Sequence, residues 1–189
     1  KDNEIILSLD FSQIELRVGA FYSRDEVMMD TYKSGGDIHA ATTSVIFGVT
    51  YDEAQDKHSS DYKEHRTIAK NVNFGTFYGL FPRGLQRTLK FKAGVEKSEA
   101  ECADIISNLK NGYKGLTSWQ EETKADAVRK MYSETWCGRR RYLPELAMSN
   151  HNMRAFGERV ARNMPIQGTA ADIIKIAMVR VYNRLKEEK

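Results

Sequence analysis

Arg66, Lys70, Phe74 and Tyr78 recur at every fourth residue. A helix turning ~100° per residue is the one regular structure that gathers them on one side, in a stripe ~120° wide. Ile68, Ala69, Val72 and Thr76 fall on the other side and predict a core-facing surface. The spacing predicts a helix from about Lys63 to Tyr78, stopped at Gly79 with Pro82 beyond. A chain built round this helix must bury one face and leave two cations and two aromatics in line on the other. Cations bind phosphates, and a ring can stack on a base or sugar. The stripe therefore fits a nucleoside triphosphate end to end. A basic helix with its two aromatics packed inside is the plainer reading, and the pattern by itself favours it. Phe77, near the stripe on the wheel, is assigned to the core.

The remaining segments are mostly helical. Residues 4–10, Glu-Ile-Ile-Leu-Ser-Leu-Asp, are apolar and β-branched enough for a buried strand. Ser12 stands three before Glu15, the spacing of a capping box opening a helix through Leu16, Val18 and Phe21. Asp37 caps a short helix from Ile38 to Phe47, closed by Gly48. Thr50 with Glu53 and Ser98 with Glu101 repeat the capping-box spacing. The stretch Tyr51–Glu64 is charged and expected to be exposed. Trp119 to Tyr132 reads as a polar helix, and Glu134–Pro144 as turn and strand around Gly138. Helices follow from about Asn152 to Asn163 and, after a break at Pro165 and Gly168, from Thr169 onward. The fold class is α+β, mostly helical, with its first strand at the N-terminus. The last helix runs to Lys189 without a capping signal, so the sequence is expected to be a piece of something longer.

Charge narrows the function classes. Residues 1–65 hold 6 Lys/Arg against 13 Asp/Glu, and residues 66–189 hold 23 against 13. An acidic region beside a basic one suits a polyanion with a cation site nearby, although an uneven solvated surface would look the same. No apolar run approaches the ~18 residues of a membrane span. Cys102 and Cys137 form no Cys-x-x-Cys and are read as buried, reduced thiols. Asp10, ending a buried strand before a helix, is a usual place for a magnesium ligand, and equally a helix cap.

Five ordered segments then bear on one another. Asp10-Phe11-Ser12-Gln13-Ile14-Glu15-Leu16-Arg17 resembles the first polymerase motif of the family A DNA polymerases, the DNA polymerase I family. Arg66 to Gly79, Arg-Thr-Ile-Ala-Lys-Asn-Val-Asn-Phe-Gly-Thr-Phe-Tyr-Gly, resembles their second motif, on the long fingers helix. Asp37-Ile38-His39, Gly138 to Pro144, and Pro165 to Ile174 are similar to the same family in order and spacing. The resemblance covers essentially the whole chain.

The resemblance implies a DNA-directed DNA polymerase adding deoxynucleotides to a primer 3′-hydroxyl by nucleotidyl transfer with two Mg2+ ions. Asp10 would be one of two aspartates holding the metals, joined by the carbonyl of Phe11. Asp10 and Lys70 would be catalytic, Lys70 as proton donor to the pyrophosphate. Phe11, Gln13, Glu15, His39, Arg66, Lys70, Phe74 and Tyr78 would contact the deoxynucleoside triphosphate. Glu15 would be the steric gate against a ribose 2′-hydroxyl, beside its reading as a cap. Arg139, Arg140, Arg159, Asn163 and Gln167 would contact primer-template DNA, with Arg141 near the duplex backbone. For the arginine turn and the Arg159 series, a solvated polar face stays open as the alternative. Pro165 makes the wheel unsafe at Gln167.

The division implied is a palm segment at 1–22, fingers at 23–132, and a palm segment at 133–189 that stops before the third motif. That motif is a His-Asp-Glu turn, and none of His39, His58, His65 or His151 precedes an Asp. The rest of a parent polymerase is thus an expected partner, and the 189-residue chain alone is expected to be inactive. Its setting would be the cytoplasm, on nucleoid DNA. Two alternatives stand beside this: a noncatalytic nucleic-acid-binding remnant, and a relative of the single-subunit RNA polymerases, against which Glu15 and Phe74 argue.

Overall fold

The structure is a computed structural model that describes residues 6–187. The helices are α1 (Ile14–Ser23), α2 (Glu26–Lys33), α3 (Ile38–Phe47), α4 (Tyr62–Thr76), α5 (Pro82–Thr88), α6 (Glu99–Gly112), α7 (Lys114–Lys130) and α8 (His151–Glu187). Between α7 and α8 a hairpin pairs β1 (Tyr132–Glu134) with β2 (Arg140–Tyr142), antiparallel, with Ser133 opposite Arg141. Among the described residues this is the one sheet, and the α+β class holds.

The core forms where α3 packs against the apolar face of α4 on one side and against α6 on another. Ile68, Ala69 and Val72 are fully buried, as are Ile38 and Cys102. Leu16 and Val18 from α1 and Ile166 and Ala170 from α8 close the same cluster. Phe77 is buried with them and lies so near α1 that a Cβ on Gly19 would stand 2.5 Å from its ring. A smaller cluster, Ala127, Leu143, Leu146 and Ala161, fills the space between α7, the hairpin exit and α8.

Caps fix where the helices start. Asp37 accepts the His39 N–H at 2.9 Å to open α3, and Gly48 closes it in the left-handed region. Ser98 and Glu101 make the full reciprocal box on α6. Thr50 and Glu53 make the same exchange but open only a 3₁₀ turn, Glu53–Gln55. Asp25 serves two helices at once. One of its carboxylate oxygens accepts the Met28 N–H of α2, and the other accepts the Leu116 N–H of α7. A buried carboxylate between two helix N-termini satisfies orphan donors on both.

Four expectations are corrected. Residues 6–10 form no strand; Ile6 is 97% exposed, and no described strand pairs with the segment, while residues 4 and 5 lie outside the described residues. An apolar, β-branched run has the composition of a strand, but a strand also needs a ladder partner for its backbone. Ser12 and Glu15 make no capping box: α1 opens at Gln13, which is left-handed with no side-chain cap, and the Ser12 carbonyl instead accepts from Arg17 Nε at 3.0 Å. Cys102 is buried, but Cys137, in the hairpin turn, is exposed.

The fourth concerns Pro165, which does not break the helix; α8 runs through it for 37 residues. Proline cannot donate to the carbonyl four residues back, here Ala161. Ser133 of β1 supplies the missing donor, its hydroxyl bonding the Ala161 carbonyl at 2.9 Å in a buried setting. The hairpin is tied to α8 again farther along. Thr135 donates to Asp172 Oδ2 at 2.6 Å, Arg139 Nε donates to Asp172 Oδ1 at 3.0 Å, and the Trp136 N–H donates to Thr169 at 3.0 Å. Ser133→Ala therefore leaves a buried carbonyl without a partner and is expected to cost about 1–3 kcal/mol. Pro165→Ala restores a helical N–H to that carbonyl, so the same serine change should cost much less in that background. Urea unfolding of the double-mutant cycle checks this, and equal costs in the two backgrounds would refute the account.

Candidate active site

The exposed side of α4 carries Arg66, Lys70 and Phe74, and Tyr78 follows in the turn just past the helix end. Phe74 is 65% exposed and Tyr78 42%, Lys70 is exposed, and Arg66 is half-buried. These are the aromatics that the plainer reading would have packed inside. Gly79, with φ +78°, turns the chain after α4, and the Arg159 side chain crosses it so closely that a Cβ would sit 2.7 Å from Arg159 Cγ. The start of α1 faces the stripe. Asp10, Phe11, Gln13, Glu15, His39, Asn73 and Phe74 line one cavity of about 360 Å³. Lys70, Phe74 and Tyr78 line a neighbouring groove of about 480 Å³, so the Phe74 ring borders both.

Polar contacts link these residues. Arg66 pairs with Asp37 at 2.6 Å. Burial works against the Asp37 carboxylate, but the Arg66 guanidinium and the His39 N–H outweigh it and lower its pKa. Burial also lowers the pKa of His39, and the charges of Arg66 and Lys70 add to that against the pull of Asp37. Tyr78 donates to Glu15 Oε2 at 3.5 Å and accepts from Gln167 Nε2, while Asn163 Nδ2 donates to Gln167 Oε1 at 2.8 Å. Burial, then the Glu15 charge, raises the Tyr78 pKa. Gln13 accepts from the Tyr32 hydroxyl at 3.3 Å, and Arg17 covers the Tyr32 ring at 4.5 Å.

Thus the first and second motif residues meet at one cavity, and Asn163 and Gln167 reach it through Tyr78. The continuous α8 makes Arg159, Asn163 and Gln167 a true stripe at helical spacing. Arg159 borders another cavity, of about 470 Å³, with Gly79, Lys110 and Arg162. Arg139 and Arg140 stand apart on the hairpin. Arg139 holds Asp172 and the Gly168 carbonyl, and Arg140 holds Glu134 at 3.0 Å. Arg141 is exposed beside them.

Asp10 is exposed and makes no hydrogen bond or ion pair with a described residue. A free carboxylate with the Phe11 carbonyl beside it is an oxygen donor set, which suits a hard cation that keeps waters and shares substrate phosphates. Among the described residues, no group of three or more His, Cys, Asp or Glu side chains encloses a metal site. No described helix is long and apolar enough to cross a membrane.

Motif reading missed the polar residues beneath the stripe. Asn73 is 1% exposed on the apolar face of α4, Thr42 is fully buried on α3, and Tyr113 is 1% exposed at the end of α6. The signal for them was a lone amide at a core position. Asp37 caps α3 as its position predicts, and the same carboxylate also holds Arg66.

A family model described as DNA polymerase family A matches residues 1–189. The chain is 40% identical over 187 residues to DNA polymerase I of Lactococcus lactis subsp. cremoris (strain MG1363), covering 99% of this chain and 20% of that protein. It is 40% identical over 185 residues to DNA polymerase I of Bacillus subtilis (strain 168), covering 98% and 20%. It is 41% identical over 182 residues to the thermostable DNA polymerase I of Thermus filiformis, covering 96% and 20%. The chain thus spans about a fifth of the length of these curated relatives. Among solved structures it is similar to the POL domain of Pol1 from M. smegmatis in complex with DNA primer-template and dNTP. The TM-score is 0.82 and the identity 36%, over 95% of this chain and 29% of that one.

Asp37→Asn tests the electrostatics of the site. Asn still accepts the His39 N–H, so α3 keeps its cap. The lost ion pair is partly exposed and should cost no more than about 1 kcal/mol at pH 7. A carboxylate whose pKa is lowered by folding stabilises above its unfolded pKa, about 4, and that contribution is lost as pH falls through the folded value. Urea unfolding at pH 7 and pH 3 should show a smaller acid loss in Asp37→Asn than in the wild type. Identical losses would show that the pair contributes nothing.

Proposed function

The chain belongs to DNA polymerase family A, and we propose that it forms the fingers and part of the palm of a DNA-directed DNA polymerase. The observation that carries this reading is the single cavity at which Asp10, Glu15, His39 and Phe74 meet, beside the Lys70 groove. In this reading residues 1–22 and 133–189 belong to the palm and 23–132 to the fingers. Its partners are primer-template DNA, deoxynucleoside triphosphates and the rest of the polymerase. Its place is in the cytoplasm on nucleoid DNA.

The reaction is an in-line displacement. The primer 3′-oxygen bonds the α-phosphorus of the incoming nucleotide, the bond to the bridging oxygen breaks, and pyrophosphate leaves. Two Mg2+ ions, when bound, would acidify the primer hydroxyl and offset charge on the leaving group. Asp10 and the Phe11 carbonyl are the ligands this chain would offer them. His39, Arg66 and Lys70 hold the triphosphate through charge-assisted bonds. Arg66 is paired with Asp37 and so has to share or exchange that partner when phosphate arrives. Lys70 donates a proton to the departing pyrophosphate oxygen. Phe74 packs on the sugar and base, and Gln13 borders the same cavity. Tyr78 stacks near the template base and checks pair shape. Arg159, Asn163 and Gln167 contact primer-template, reading minor-groove acceptors that all correct pairs present. Arg139, Arg140 and Arg141 lie toward the duplex backbone.

Glu15 occupies the space of a ribose 2′-hydroxyl and discriminates by clash. It caps no helix, so Glu15→Ala should leave α1 intact. In the complete polymerase that contains this segment, the deoxy-to-ribonucleotide ratio of kcat/KM should fall about tenfold or more, ~1.4 kcal/mol. Tyr78→Phe removes the hydroxyl that touches Glu15 and should shift the ratio in the same direction, by less. An unchanged ratio in Glu15→Ala would remove the gate, and with it the assignment of this cavity to the nucleotide sugar.

A further inference from the structure

Beneath the proposed triphosphate site lies a chain of buried polar groups that none of the proposed contacts uses. Asn73 Nδ2 lies 3.0 Å from His39 Nδ1. Its other end, Oδ1, accepts from the Thr42 hydroxyl at 2.9 Å, and that hydroxyl also bonds the Ile38 carbonyl at 2.8 Å. Tyr113 completes the chain at 2.7 Å from Thr42 Oγ1. Thr42 has one hydroxyl proton, which is shared between its two acceptors, so the Tyr113 hydroxyl is the donor to Thr42. The direction then runs through the network. Thr42 fixes the carbonyl end of the Asn73 amide, which turns the NH₂ end toward His39.

An amide NH₂ can only donate, so His39 Nδ1 accepts. A neutral imidazole has one N–H, and it must then sit on Nε2. Burial favours that neutral form and, helped by Arg66 and Lys70, outweighs the opposing charge of Asp37. The ring borders the cavity with Asp10 and Glu15. A neutral histidine can donate to a phosphate oxygen only from the nitrogen that carries the proton, so the tautomer decides whether His39 helps or hinders.

We propose that Asn73, oriented by Thr42 and Tyr113, is a positioning residue that holds His39 in the Nε2–H tautomer, ready to donate to a phosphate oxygen of the bound nucleotide. The phosphate half of this statement rests on the polymerase reading; the tautomer half does not. Asn73 is almost fully buried behind His39 and acts through that ring. The arrangement also spans two elements, since Asn73 is on α4 and His39 on α3, so the same bond sets the register of one helix against the other.

Long-range ¹H–¹⁵N NMR of the 189-residue chain, with ¹⁵N-labelled histidine, reads the tautomer directly. The expected result is a single Nε2–H form for His39 at neutral pH. A predominant Nδ1–H form would overturn the proposal without any variant. Asn73→Leu keeps the branched shape, with two methyl groups in place of the amide oxygen and nitrogen, and suits the apolar face, and it should release His39 to a mixture of tautomers. Thr42→Val should loosen the preference in the same way, and Thr42→Ser should keep it. An Nε2–H form that survives Asn73→Leu in a folded protein would also overturn the proposal. Inorganic pyrophosphate supplies the second readout. Its affinity should fall about tenfold in Asn73→Leu, the scale of one hydrogen bond to a charged group, and stay unchanged in Thr42→Ser. Unchanged affinity in Asn73→Leu would overturn the phosphate half. A wild-type chain that binds no pyrophosphate would instead overturn the polymerase reading of this cavity, with the tautomer spectra still deciding the role of Asn73.

Discussion

One amide buried in an apolar helix face constrains this structure more than any other group. Asn73 sits among Ile68, Ala69 and Val72, all fully buried. A polar side chain there costs several kcal/mol unless both ends are bonded. Its partners, His39 and Thr42, lie on α3 at positions that only one rotation and one translation of α4 can reach. Apolar packing alone tolerates small slips between helices; a buried amide with two assigned partners does not. Once α4 is keyed to α3, the opposite side of α4 has no freedom left. Phe74 then has to face the cavity that the start of α1 borders, with Lys70 and Tyr78 on the groove beside it.

The same economy appears at the edges of the site. Asp37 opens α3 with one contact to His39 N and pairs with Arg66 through its other oxygen. Asp25 joins α2 to α7, and Asp172 joins the hairpin to α8. Asp37 and Asp25 each satisfy donors on two elements, and Asp172 on α8 takes two from the hairpin, so the elements are tied by directional bonds as well as by apolar contact. Ser133 does the corresponding work for a proline. It allows α8 to continue through Pro165, and this carries Gln167 to the Tyr78 hydroxyl with Asn163 bonded to Gln167.

Much of this was legible in the sequence, for physical reasons that differ by element. The four-residue spacing on α4 reads directly because a helix has one period. The Ser98–Glu101 box, Asp37 and Gly48 read because capping is local chemistry. The other expectations failed where the deciding partner is remote in sequence. Residues 6–10 had the composition of a strand but no described strand to pair with. Ser12 and Glu15 had the spacing of a box, yet the left-handed Gln13 starts the helix later, and Glu15 meets Tyr78 instead. Pro165 looked like a break because Ser133, 32 positions earlier in the chain, was not visible as its compensation. Asn73 was passed over for the same reason: its meaning lies in Thr42, His39 and Tyr113, and no spacing rule connects them.

The central claim is that the outer stripe of α4, the start of α1 and His39 form one nucleotide site. An NMR titration of the 189-residue chain with a magnesium deoxynucleoside triphosphate tests it most directly. The account predicts saturable shifts concentrated at His39, Arg66, Lys70 and Phe74 and at residues 10–15, with Lys90, which lies outside the groove, little changed. Shifts spread over the basic surface, with the α4 stripe silent, would contradict it.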